Sequence, residues 1–174
     1  SSAISDLKVY NELSPDNPHA YYLLGDLYRE ISQIDLTPRP DTACRRGTAC
    51  RSAVYNFEQV VKIDPDYPGV YLKLGVAHRN NGSINSSLEN LNQALEMDPG
   101  DMDVYMERGR TYLANQQPME GLTDFKKVIS MAPDEPLAHY SIGWAYLDLG
   151  RSLPAIRDFT QATELAPGDS GKYT

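Results

Sequence analysis

The stretch YSIGWAYLDLG, Tyr140 to Gly150, has the residue spacing of a buried helix yet places Gly143 near its middle. Glycine inside a helix is unfavourable by about 1 kcal/mol relative to alanine. The arrangement recurs three times, at Gly25 in YYLLGDLY, Gly75 in YLKLGVAH and Gly109 in YMERGRTY. Four glycines in matching surroundings require a common physical reason, and that reason decides the fold.

Prolines set the ruler. Pro65, Pro99, Pro133 and Pro167 follow one another at intervals of 34 residues, in DPDYP, DPGD, APDEP and APGD. In each, proline stands just past a helix that it cannot continue. Counting each glycine as position 8 of a 34-residue unit aligns its neighbours. Position 4 then holds Tyr21, Tyr71, Tyr105 and His139, and position 11 holds Tyr28, His78, Tyr112 and Tyr146. Position 20 holds Ala53, Ser87, Gly121 and Ala155, position 24 holds Phe57, Leu91, Phe125 and Phe159, and position 30 holds Ile63, Met97, Met131 and Leu165. Such columns suit two antiparallel helices that approach closely where a side chain is nearly absent. Gly143 is then a contact point, Ala155 supplies the matching small surface, and Tyr146 and Phe159 fill the space on either side. Burial at roughly 0.8 kcal/mol per methylene offsets the glycine penalty several times over.

These columns resemble the tetratricopeptide repeat, with Leu24-Gly25, Leu74-Gly75 and Ile142-Gly143 at positions 7 and 8 and Ala94 and Ala162 at position 27. The resemblance implies an all-α fold, a right-handed α-solenoid of antiparallel helix pairs, with about four repeats plus one N-terminal half repeat. It covers nearly the whole chain, read as a single tetratricopeptide-repeat domain over 1–174. The half repeat is 1–17, where Ala3, Leu7, Tyr10 and Pro15 fit a second helix, and the repeats are 18–67, 68–101, 102–135 and 136–169. Val60 and Val128 depart from alanine at position 27, and Arg108 replaces the apolar residue at position 7, which predicts looser packing in the third repeat. The first repeat is 50 residues long, so an insertion at about 33–48 separates its two helices. Pro38 and Pro40 forbid a continuous helix there.

Charge narrows the partners. A net charge of −8, a pI near 4.8 and only 16 dispersed Lys and Arg residues exclude nucleic acid and anionic membrane surfaces. No apolar run approaches the roughly 18 residues of a membrane-spanning helix, so no direct membrane insertion is expected. The start SSAISDLKVY lacks the order of a secretory signal. It enters a helical pattern at once, which leaves an upstream segment open and the localisation undecided between cytoplasmic and extracytoplasmic.

Both cysteines, Cys44 and Cys50, fall in or beside the insertion. A Cys44–Cys50 disulfide would close a short loop in an oxidising compartment. The alternative is two reduced cysteines, which holds if the second helix starts near Asp41 and sets them on different faces. Zinc is disfavoured, because a structural site needs four ligands and the insertion offers two. RRGT at Arg45 to Thr48 has the form of a basophilic kinase site, and NGS at Asn81 and NSS at Asn85 have the form of glycosylation sites. All three also read as solvated turns. His78 and His139 occupy aromatic columns and read as core filling. No catalytic triad, Cys-His pair, phosphate loop or HExxH is present, so no catalytic residue, metal or cofactor is expected.

A binding surface remains. The resemblance implies that positions 2, 5, 6, 9, 12 and 13 of the first helices line a concave groove. Position 5 carries Tyr22, Leu72, Met106 and Tyr140, position 9 carries Asp26, Val76, Arg110 and Trp144, and position 12 includes Arg29 and Arg79. An apolar residue at every position 5 reads as a stripe of peptide anchors, or alternatively as padding of the seam between repeats. Tyr22 and Asp26 do not match a carboxylate clamp, and Leu23, Lys73, Glu107 and Ser141 do not match an asparagine ladder. The expected function is a non-catalytic protein–protein interaction scaffold that holds a peptide or partner helix, with Arg29, Arg79 and Arg110 pairing its acidic groups. Two alternatives are a regulatory or substrate-docking arm of a larger enzyme and a homo-oligomeric assembly module. For the last, polar GDSGKYT after Pro167 reads as a loop rather than a cap, which predicts self-association through the apolar face of the last helix.

Overall fold

The computed structural model describes residues 2–33 and 47–167. Among these residues there are nine helices and no strand. They are α1 (Ser2–Leu13), α2 (Pro18–Gln33), α3 (Gly47–Ile63), α4 (Val70–Asn80), α5 (Ile84–Met97), α6 (Met102–Ala114), α7 (Pro118–Met131), α8 (Pro136–Asp148) and α9 (Ser152–Leu165). They form two compact units, with α1 to α5 in the first and α6 to α9 in the second.

In the first unit α2 pairs with α3 and α4 with α5, while α1 packs on α2 and α3 on α4. Its core joins Ala53, Phe57 and Val60 of α3 to Val70, Leu74 and Ala77 of α4. In the second unit α6 pairs with α7 and α8 with α9, and α8 also covers α7. There the core joins Leu122, Phe125 and Val128 of α7 to Ala138, Ile142 and Ala145 of α8.

The helical glycines are where the second helix of each pair comes closest. A Cβ built on Gly109 would lie 2.5 Å from Cε1 of Phe125, and one on Gly143 would lie 2.6 Å from Cε1 of Phe159. Gly25 stands in the same relation to Phe57, and Gly75 to Leu91. The partner of each position 8 glycine is therefore the bulky residue at position 24, 16 residues later in the repeats without insertion. The small residue at position 20 faces the position 8 backbone as well, since a Cβ on Gly121 would lie 2.9 Å from the carbonyl oxygen of Gly109. Ring and backbone thus occupy the space that two absent side chains leave.

Each described turn from first to second helix closes with one residue in the left-handed region. Gly82 (φ 82°) and Gly150 (φ 70°) take this position, and Gln116 (φ 58°) takes it in the α6–α7 turn. The bonds beyond it are alike: the amides of Ser83, Gln117 and Arg151 donate to the carbonyls of His78, Tyr112 and Tyr146 at 2.8–2.9 Å. This is the Schellman arrangement, which satisfies the last carbonyls of a helix. First helices begin on side-chain caps where acids are available. Asp101 accepts from the amides of Asp103 and Val104, and Glu135 accepts from that of Leu137.

Candidate interaction surfaces

On the first helices of the first unit, Asp26 is the centre of a small ionic network. Its Oδ1 accepts from Arg29 Nε at 2.8 Å and from Lys73 Nζ of α4 at 3.0 Å. Burial alone would raise the Asp26 pKa, but the bonds from Lys73 and Arg29 outweigh it and hold the carboxyl below its ordinary range. Tyr22 lies edge-on to Phe57 at 5.7 Å between centroids and 5.1 Å from Tyr67. Its phenol is pushed up by burial and then by the Asp26 carboxylate, so it stays protonated. Across from them on α4, Leu72 and Arg79 are half-buried and Val76 is buried.

In the second unit the same register is more enclosed. Met106 is 7% exposed and receives the Ser141 hydroxyl of α8 at 3.9 Å. Tyr140 is 5% exposed, and its ring meets those of Trp144 and Phe159 at 6.2 and 5.5 Å. Trp144 is itself T-shaped on Phe159 at 5.8 Å, and Arg110 pairs with Glu107 one turn away. The sequence treats position 5 as a face that the core does not need. The structure instead lays Tyr22 and Tyr140 on the position 24 rings and closes Met106 into the seam between α6 and α8. Seam padding describes Met106 and Tyr140, while Asp26, Arg29, Leu72, Arg79 and Arg110 keep a share of solvent.

Arg108, the departure at position 7, does not loosen its pair of helices. Its Nε and Nη2 donate to the two carboxylate oxygens of Asp124 at 2.8 and 2.7 Å, and its guanidinium lies 5.6 Å from the Tyr105 ring. Sequence reasoning flagged Arg108 but missed Asp124. The signal was available, because Asp124 lies 16 residues after Arg108, the separation that brings Gly109 to Phe125.

Cys50 is buried in the first turn of α3 and is disulfide-bonded, while Cys44 lies outside the described residues, as do Arg45, Arg46, most of the insertion and the tail after Pro167. Thr48 is exposed at the start of α3, and Asn81 and Asn85 flank the α4–α5 turn. His78 is half-buried, its Nδ1 has no hydrogen-bond partner among the described residues, and burial lowers its pKa against the pull of Glu58 and Glu89. His139 faces Asp158 Oδ1 with Nδ1 and the Pro133 carbonyl with Nε2, each at 3.2 Å. Among the described residues no three His, Cys, Asp or Glu side chains gather to hold a metal ion. No helix among them is long and apolar enough to cross a membrane.

A family model for the tetratricopeptide repeat matches residues 72–118 and 106–170, together more than half of the chain. The chain belongs to the tetratricopeptide repeat family. Among solved structures, a crystal structure of MamA matches with a TM-score of 0.76 at 21% identity, covering 97% of this chain and 89% of that one. A form of MamA from Desulfovibrio magneticus RS-1 matches with a TM-score of 0.77 at 19% identity, over 94% of this chain and 84% of its own. TTC0263, a thermophilic tetratricopeptide protein of Thermus thermophilus, gives 0.73 at 20% identity over 97% and 84%. At these identities the likeness shows the fold, an all-α tetratricopeptide solenoid. No curated protein sequence matches the chain. Arrays of this family serve in general as scaffolds for protein–protein interaction.

Proposed function

We propose that this protein is a non-catalytic scaffold that binds a peptide or partner helix on the face of its first helices. The observation that carries this reading is the Asp26–Arg29–Lys73 network, which joins α2 to α4 and holds charged groups half-buried on that face. Charged heads fixed in this way are poised to exchange pairing with a partner's acidic groups, and such pairing contributes to specificity and on-rate. Arg79 extends the set within the first unit, with Leu72 as an apolar contact, and Arg110 offers a cation at the equivalent face of the second unit. Trp144 is a poor probe of binding, because its contacts with Tyr140 and Phe159 make Trp144→Ala a stability variant as well. The test is affinity capture with the whole chain as bait, repeated with Arg29→Glu and Arg79→Glu after helix content is verified. Proteins held by wild type and released by these variants support the reading; an identical set from all baits overturns it.

A specific observation favours self-association as a second reading. Leu153 and Ile156, three residues apart on α9, are 81% and 60% exposed and form an apolar pair on one helix face. Ile156→Glu then abolishes concentration-dependent self-association in sedimentation, and a strict monomer at high wild-type concentration removes this reading. From the 34-residue spacing we also propose one domain with repeats at 18–67, 68–101, 102–135 and 136–169, and a Cys44–Cys50 disulfide beside its insertion.

A further inference from the structure

Each compact unit carries a groove on the side of its second helices, and the two are built in one register. In the second unit a cavity of about 560 Å³ opens between α7 and α9 with α8 as its floor. In the first unit a cavity of about 440 Å³ opens between α1 and α3 with α2 as its floor. Both volumes fall in the range of cavities that hold a ligand or an anchoring side chain, roughly 300–1,000 Å³. The floors correspond position by position: Ile142 and Tyr146 in one take the places of Leu24 and Tyr28 in the other.

The lysine is placed alike as well, while the arginine of the facing wall stands at position 22 in one groove and position 18 in the other. Lys126 and Lys8 both stand one residue after position 24 on the preceding second helix, and each groove has an arginine on the opposite wall, Arg157 or Arg51. Among the described residues neither Lys126 nor Arg157 enters an ion pair, while the carboxylate of their groove, Asp158, is held by His139 at 3.2 Å. Lys8 lies 6.0 Å from the centre of the Tyr28 ring, with Glu12 as the acidic neighbour in its groove. Unpaired cations over an apolar floor stand out in a chain of net charge −8. The intervening register contrasts with them. Around His78 of α4, Glu58 and Glu89 occupy the places that Lys126 and Arg157 take in the second unit.

We propose that these two grooves dock an acidic amphipathic segment of a partner protein, its apolar side chain entering between the second helices and its carboxylates meeting Lys126 with Arg157, or Lys8 with Arg51. Leu153, 81% exposed on the wall of the larger groove, supplies apolar contact that the fold itself does not use. Like charge at Glu58 and Glu89 repels the same segment from the α3–α4–α5 register, which limits docking to one place in each unit.

The test uses the whole chain and a fluorescein-labelled ten-residue peptide in which Glu alternates with Leu and Phe, with a Lys-for-Glu twin as control. Anisotropy should show the acidic peptide binding at least about tenfold more tightly than its twin, with affinity falling as salt rises. Lys126→Glu with Arg157→Glu should remove one class of site and Lys8→Glu with Arg51→Glu the other. Lys126, Arg157 and Arg51 are surface positions, and an unchanged helical circular dichroism spectrum verifies folding. Leu153→Ser, also exposed, should weaken the acidic peptide without altering the salt dependence of what remains. No binding of the acidic peptide, equal binding of its twin, or unchanged affinity in both charge-reversal pairs overturns the proposal.

Discussion

The pairs α6–α7 and α8–α9 are built on one plan within one unit, yet they differ in what covers them. Each has a glycine facing a phenylalanine and an aspartate one residue before that phenylalanine. Asp124 is buried, its side chain 5% exposed, and doubly bonded to Arg108; Asp158 is 19% exposed and meets His139 through one nitrogen. Phe125 is fully enclosed because α8 packs on α7, whereas Phe159 is half-buried on α9. Register therefore sets which groups meet, and cover by the next helix sets how much the meeting contributes to stability.

The largest expected effect is on the buried pair. Asp124→Ala strips the Arg108 guanidinium, 20% exposed, of a partner that is only 5% exposed and should lower unfolding free energy by about 1.5–3 kcal/mol, whereas Asp158→Ala, where both partners keep solvent, should lower it by less than about 1 kcal/mol. Urea titrations of the two variants decide this, and equal losses break the comparison. Arg108→Leu combined with Asp124→Ala should recover most of the first loss, because it restores an apolar position 7 and leaves no buried charge.

Next come the glycines. Gly109→Ala pushes a methyl into the Phe125 ring and should destabilise by about 1–3 kcal/mol. Gly143→Ala meets Phe159 at nearly the same distance, but that ring has open space to move into, so its loss should be less than half as large. A thermal melt with both variants lowered equally would mean that cover does not matter. The smallest effect sharpens the contrast in the turns: Gln116→Gly should stabilise by roughly 1 kcal/mol and Gly150→Ala should destabilise by a similar amount, since both positions have positive φ. An unchanged melting temperature for Gln116→Gly would show that the Gln116 backbone is not strained.

Much of the fold was legible because a repeat writes its contacts several times. The 34-residue spacing and the columns at positions 8 and 24 identify the helix pairs without any long-range information. The partner of Arg108 was hidden only because a single exception breaks no column. Gln116 was hidden for a different reason, since a left-handed backbone is announced by Gly82 and Gly150 but not by glutamine. The candidate surface was less legible still. Whether Met106 and Tyr140 face solvent depends on how closely one first helix lies against the next, and that distance is written in no single repeat. The paired grooves on the second-helix side draw each wall from a different helix, so their common register became visible only once the helices were placed.

The central claim is that the open face of α9 serves contact with partners rather than folding, and Leu153 tests it most directly. Leu153→Asp should change unfolding free energy by no more than about 0.5 kcal/mol, as expected for a surface position, and weaken the acidic peptide at least about tenfold. A loss of stability above about 2 kcal/mol with peptide affinity unchanged would contradict the account and place Leu153 in the fold instead.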